Sequence, residues 1–278
     1  MSMSDEPREA VGRAGPAGAE PIFNIPGVVI GLIGTFFAVH LARLGLALED
    51  DLAILREFAV VPARFALEFG WFDQRRIVEA LTAGASAAEA AERMAVARYL
   101  LDGGGPRWWS LVSYGVLHGG TAHVAMNCLW LAVFGSPVAR RLGVLPFAAL
   151  IVAGIVAGAV LHLWAHAADV VPLVGASAGV SAATGAAARF VFSRGMQLGS
   201  VKTPDAARAL PALSLMGMVR NRAALVFVLV WFASNWLFGA GVPAFGSAES
   251  SIAWEAHIGG FVAGLVLFPL LDRHGARG

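Results

Sequence analysis

Three clusters of polar residues interrupt an otherwise apolar chain of 278 residues. "LHGGTAHVAMN" carries His118, His123 and Asn127; "GASAG" places Ser177 among small residues; "WEAHIGGFVAG" carries His257 and, one turn on, Gly260. A lone serine in an apolar helix commonly bonds its own backbone, and a lone histidine satisfies a nearby carbonyl. Together, however, a hydroxyl, an imidazole from another segment and a pair of N–H donors are the parts of acyl-transfer catalysis. The base takes the serine proton, and the donors hold the charge that develops on the carbonyl oxygen. His123 and Asn127 are four residues apart and share a helix face. Gly175 lets the chain turn tightly ahead of Ser177, and a helix starting there adds its positive dipole end.

These clusters have to be positioned inside a membrane. The chain is 58% hydrophobic and 14% charged, against about half and about a quarter in ordinary soluble domains. Apolar stretches at about 27–47, 117–139, 146–168, 175–194, 223–241 and 254–271 each approach the ~20 residues needed to cross a ~30 Å hydrocarbon core. The sequence therefore predicts an all-α polytopic membrane protein of six spans, with residues 1–26 a disordered tail, 27–271 the membrane domain and 272–278 a short second tail. The head of the chain is too acidic and too long to read as a signal peptide. Segment 48–107, with ten acidic residues and seven arginines, is the one large extramembrane insertion, and its "RFALEFGWF" is aromatic enough for shallow interfacial contact. Within it, Ser86 and Glu89 form a capping-box pattern ahead of a helix that Gly103–Gly105 ends.

Short cytoplasmic loops retain Lys and Arg. Arg140 and Arg141 follow the second span, Arg194 to Arg222 the fourth, and Arg273 and Arg277 the sixth, whereas the connections near Asp169 and Glu249 have neither. Both termini are expected in the cytoplasm, and all three polar clusters fall toward the opposite side, where one cavity can hold them. Small residues four apart, Gly154/Gly158 and Gly260/Gly264, suit close helix packing.

Several functions are disfavoured. A net charge of +1 gives no basic surface for nucleic acid. A single cysteine, Cys128, excludes disulfides and cysteine metal clusters. No His-Glu-x-x-His appears, no pair of acids lies within the spans, and no internal repeat of the transporter kind is visible. No cofactor and no metal are expected, and chelators should not inhibit. Nineteen arginines against one lysine fit a G+C-rich, bacterial source.

From Trp108 to Leu271 the chain resembles the rhomboid intramembrane serine proteases. "HGGTAHVAMN" is similar to that family's His-x4-His-x3-Asn, "GASA" to its Gly-x-Ser-Gly, and "AHIGGFVAG" to its Ala-His-x-x-Gly-x-x-x-Gly, in the same order. The resemblance implies a six-helix rhomboid-like bundle with a large first loop. It implies Ser177 as nucleophile, His257 as general base, His123, Asn127 and the Ser177 amide as oxyanion hole, and His118 as a loop-fixing residue, with Gly175 and Gly260 in support. Three positions depart from the pattern: Ala178 follows the nucleophile instead of glycine, Trp109-Ser110 replaces a Trp-Arg pair with Arg107 nearby, and Ser181 stands where many members carry an aromatic under the histidine.

The implied function is cleavage of single-span membrane proteins by a Ser–His dyad in the lipid bilayer, in a multi-pass protein of a bacterial inner membrane. Helix-weakening Gly or Pro in the substrate should help, because a peptide bond within a helix is protected. The alternative is an inactive relative that binds clients.

Overall fold

The computed structural model describes residues 24–194, 201–239 and 253–273. Most of the tail expected over 1–26, the second tail beyond Arg273, and the connection around Glu249 lie outside these residues. The described residues are mostly helical, and an isolated extended pairing joins Val60 to Leu173. They form a helical membrane bundle.

Helix α1 spans Gly27–Leu44. Segment 48–107 folds as four short helices: α2 (Leu48–Phe58), α3 (Pro62–Glu68), α4 (Gln74–Thr82) and α5 (Ala87–Leu101). The Ser86–Glu89 capping box forms as expected, and Gly103, Gly104 and Gly105 all take positive φ just beyond α5. Ala63, Ile77, Ala97 and Val170 make a small hydrophobic cluster of their own beneath these helices. Arg64 ties α3 to the end of α5, its Nε donating to the Leu100 carbonyl at 2.7 Å, while burial lowers its pKa below the ordinary value.

After the short α6 (Ser110–Ser113), α7 (Thr121–Trp130) and α8 (Ser136–Leu142) join through a π-helical turn over Leu131–Gly135. Pro137 accounts for the widening, since its ring collides with the carbonyl one turn back and it donates no hydrogen bond. The Ser136 hydroxyl donates instead to the Ala132 carbonyl at 2.6 Å. Helix α9 runs from Val144 to Ala165, α10 from Ser177 to Ala188, α11 and α12 cover Pro204–Ala209 and Leu215–Arg220, α13 covers Arg222–Gly239, and α14 covers Trp254–Leu271.

Among the described residues four helical segments are long and apolar enough to cross a membrane: Gly27–Leu44, Thr121–Leu142, Val144–Ala165 and Trp254–Leu271. Arg222–Leu237 is apolar but shorter. The stretch read as a span at 175–194 contains a 12-residue helix, about 18 Å long at 1.5 Å per residue. Its remaining length is the turn at Gly175 and Ala176 before Ser177 and turns after Ala188. Every residue of α10 after Ser177 is buried, so this helix is enclosed by its neighbours. Uniform apolarity does not separate a lipid-facing span from a helix buried on all sides.

The enclosing contacts run through glycines. Gly154 and Gly158 of α9 face Ala182 and Ala178 of α10, Gly260 and Gly264 of α14 face the backbone at Ala178 and Ala182, and Gly185 faces the Phe261 carbonyl. Lipid gives no hydrophobic drive for helix association, so close approach and dispersion hold the three helices together. At the far end from Ser177, Arg141 and Asp272 form an ion pair at 2.8 Å with side chains 1% and 2% exposed. Arg141 also donates to the Ala207 and Leu210 carbonyls, which satisfies a charge that would otherwise be costly to bury.

Candidate active site

Ser177 is the first residue of α10 and is half-buried. The turn that presents it depends on Gly175, whose φ of 125° disfavours any side chain and whose amide donates to the Tyr114 carbonyl at 3.0 Å. Space makes the same demand: a Cβ here would lie 2.7 Å from both Cε1 and Nε2 of His123, and 3.8 Å from Ser177 Oγ. The missing side chain therefore lets the His123 ring and the Ser177 hydroxyl share one small volume. Tyr114 is itself anchored by its hydroxyl donating to the Ile155 carbonyl at 2.7 Å.

The orientation of His123 follows from its other nitrogen. The Gly119 amide points at His123 Nδ1 at 3.4 Å, which makes Nδ1 the acceptor and leaves Nε2 to carry the proton toward Gly175 and Ser177. His118 packs edge-on to this ring at 5.2 Å and against Phe36 at 5.4 Å. Its carbonyl accepts from Arg43 at 2.9 Å, and Arg43 in turn pairs with Asp51 at 2.7 Å. His118 thus joins α1 and the start of α2 to the segment that carries His123. Asn127 is buried one turn beyond, with Nδ2 donating back to the His123 carbonyl at 3.0 Å. That bond uses one of its two N–H groups.

His257 stands in the first turn of α14 and is half-buried. Its helix is seated on α10: a Cβ on Gly260 would come within 2.9 Å of Ala178 Cα and 2.7 Å of the Ala178 carbonyl carbon. A Cβ on Gly259 would meet the Ala157 carbonyl oxygen at 2.6 Å, and one on Gly158 would meet the Ala256 carbonyl oxygen at 2.7 Å. The backbone contact of Gly260 with Ala178 therefore sets the first turn of α14, which carries His257, against the first turn of α10, which carries Ser177.

The sequence reading missed Asn235 of α13. Its Oδ1 lies 2.6 Å from His257 Nδ1, and its Nδ2 donates to the Trp231 carbonyl at 2.8 Å. With its amide committed to the backbone, Asn235 offers His257 an oxygen. The imidazole then donates through Nδ1–H and keeps a lone pair on Nε2. A polar residue inside the apolar run "FASNWLF" is the signal that could have found it, the same one that singled out Asn127.

The three departures from the resemblance have local explanations. The methyl of Ala178 fits because Gly158 faces it without a side chain. Arg107, two residues before Trp109, pairs with Glu57 at 3.0 Å, while the Trp109 indole donates to the Glu57 carbonyl at 2.9 Å. Ser181 is buried beneath the first turn of α10, and the hydrogen bond that His257 donates to Asn235 Oδ1 gives the imidazole a different support. Among the described residues, the one group of histidines and carboxylates spaced for a metal ion is His162, His166 and Glu255, distinct from Ser177.

A family model described as the Rhomboid domain matches residues 105–273, more than half of the chain, and takes in all three polar clusters. No curated protein matches the chain.

Proposed function

The chain belongs to the rhomboid family, and from that premise we propose that it is an intramembrane serine endopeptidase in which Ser177 is the nucleophile and His257 the general base. The observation that carries this reading is the seating of Gly260 on the Ala178 backbone, which sets His257 and Ser177 on adjoining turns, with Asn235 fixing the imidazole.

In the reaction, Ser177 Oγ bonds to the carbonyl carbon of the scissile peptide while its proton passes to His257 Nε2. The negative charge that develops on the carbonyl oxygen is met by His123 Nε2–H, by the free N–H of Asn127 and by the Ser177 amide at the start of α10. His257 returns the proton to the leaving amine. It then takes a proton from a water whose oxygen bonds to the acyl carbon, and passes that proton to Ser177 Oγ as the ester bond breaks and the acyl chain leaves with a free carboxyl group. A neutral asparagine in the third position avoids burying a carboxylate in a membrane protein, and it still sets the tautomer and angle of the base.

Substrates on this reading are single-span membrane proteins whose helix unwinds near the membrane face that bears segment 48–107. On this reading that face lies outside the cytoplasm and both termini within it, in the inner membrane of a bacterium, and the arginines of the short loops support that orientation. The test is cleavage of a single-span substrate in proteoliposomes by the wild type, Ser177→Ala and His257→Ala. Cleavage by the wild type alone is expected. Substrate capture without cleavage by all three would make the chain a client-binding relative.

A further inference from the structure

At the end of α9 nearest His257, His162 and His166 are four residues apart and stack at 4.7 Å between ring centroids. Glu255 of α14 reaches the same spot, with Oε1 at 3.0 Å from His166 Nε2. One donor atom from each of the three residues lies within 4.8 Å of the others. Four-coordinate zinc with bonds of about 2.0–2.2 Å needs donors roughly 3.3–3.6 Å apart, a contraction within the reach of small side-chain rotations.

Two further features point to an ion. His162 is 8% exposed, and its Nδ1 is buried without a hydrogen-bond partner, a state that costs free energy unless something accepts its lone pair or proton. His166 Nδ1 is engaged by Asp169 Oδ2 at 3.1 Å, which turns Nε2 toward Glu255. A carboxylate behind a ligating imidazole is the usual second contact in metal sites. The His166 and Asp169 side chains are 35% and 48% exposed, so an ion can enter from solvent while His162 closes the inner side.

We propose that His162, His166 and Glu255 bind a divalent transition-metal ion of the zinc class, with Asp169 orienting His166 and water completing the coordination. Two imidazoles and one carboxylate suit zinc, cobalt, nickel or copper, whereas calcium and magnesium require sets of oxygens. The ion takes no part in acyl transfer. It clamps the last turn of α9 to the first turn of α14, two residues ahead of His257, and so stiffens the segment that carries the base.

The experiment uses the full chain with Ser177→Ala, free of any polyhistidine tag, stripped with EDTA and exchanged into detergent buffer, so that its outcome does not depend on proteolysis. Titration with Co2+ is expected to give the visible absorption of a tetrahedral site at one equivalent, abolished by Zn2+ and unaffected by Mg2+. Zn2+ at a hundredfold excess over Kd is expected to raise Tm by roughly 5 °C. His166→Ala and Glu255→Gln, added singly, should each weaken Co2+ binding at least about tenfold. Absence of the Co2+ spectrum in the parent protein overturns the proposal without recourse to the variants, and so does a spectrum that both variants retain undiminished.

Discussion

Asn235 Oδ1 and His257 Nδ1 are 2.6 Å apart, across the interface between α13 and α14. With Asn235 Nδ2 bound to the Trp231 carbonyl, this contact holds one tautomer of His257 and one angle of its ring. Asn235→Ala should lower kcat about 10–100-fold with KM nearly unchanged, since a misplaced base costs rate without weakening binding. Asn235→Asp, which keeps the acceptor for His257 but loses the donation to Trp231, should recover part of kcat at a lower Tm. Steady-state kinetics of both variants, with melting measured on the same preparation, distinguish a positioning role from a packing role, which would lower Tm and leave kcat per folded molecule intact.

Asn127 is held by its own helix through the His123 carbonyl, which leaves it one N–H for the oxyanion role proposed above. Asn127→Ala should reduce turnover roughly 10–1000-fold with little change in substrate affinity, because the charge it meets exists only in the transition state. A variant that melts well below Ser177→Ala but retains its turnover would assign Asn127 to structure alone.

Gly260→Ala tests the contact between α14 and α10. The added methyl would enter the backbone of Ala178, and overpacking of this kind costs about 1–3 kcal/mol or more. Both Tm and activity should fall. Gly264→Ala, one turn further from His257 and facing Ala182, should lower Tm comparably with a smaller effect on activity per folded molecule. Equal loss of specific activity in the two variants would separate the contact from the positioning of His257.

Asp272→Ala removes the partner of a guanidinium that is 1% exposed. Leaving one buried charge unmatched costs about 3–5 kcal/mol. Thermal melting should show a large drop, while probe labelling of Ser177 in the surviving folded fraction stays at the wild-type rate. Loss of labelling at an unchanged Tm would contradict a purely structural role.

Much of this architecture was readable in the residues. Apolar runs located the helices within a few positions, as for Trp254–Leu271, and the Ser86–Glu89 pattern marked the start of α5. Local rules suffice where both partners are close in sequence. The short α10 was not legible, because alanines and glycines look equally apolar whether they face lipid or other helices. Nor was the pocket for the Ala178 methyl, which is made by Gly158 on another helix. Asn235 escaped for a related reason: its importance comes from which side chain stands opposite, and that partner is 22 residues away.

The central claim is an activated serine at position 177, and the most direct measurement is reaction of the purified protein with a fluorophosphonate probe followed by mass-spectrometric location of the adduct. A single adduct on Ser177, lost in Ser177→Ala and strongly reduced in His257→Ala, is the predicted result. A folded wild-type protein that takes up no probe, or labelling that survives in Ser177→Ala, would contradict it.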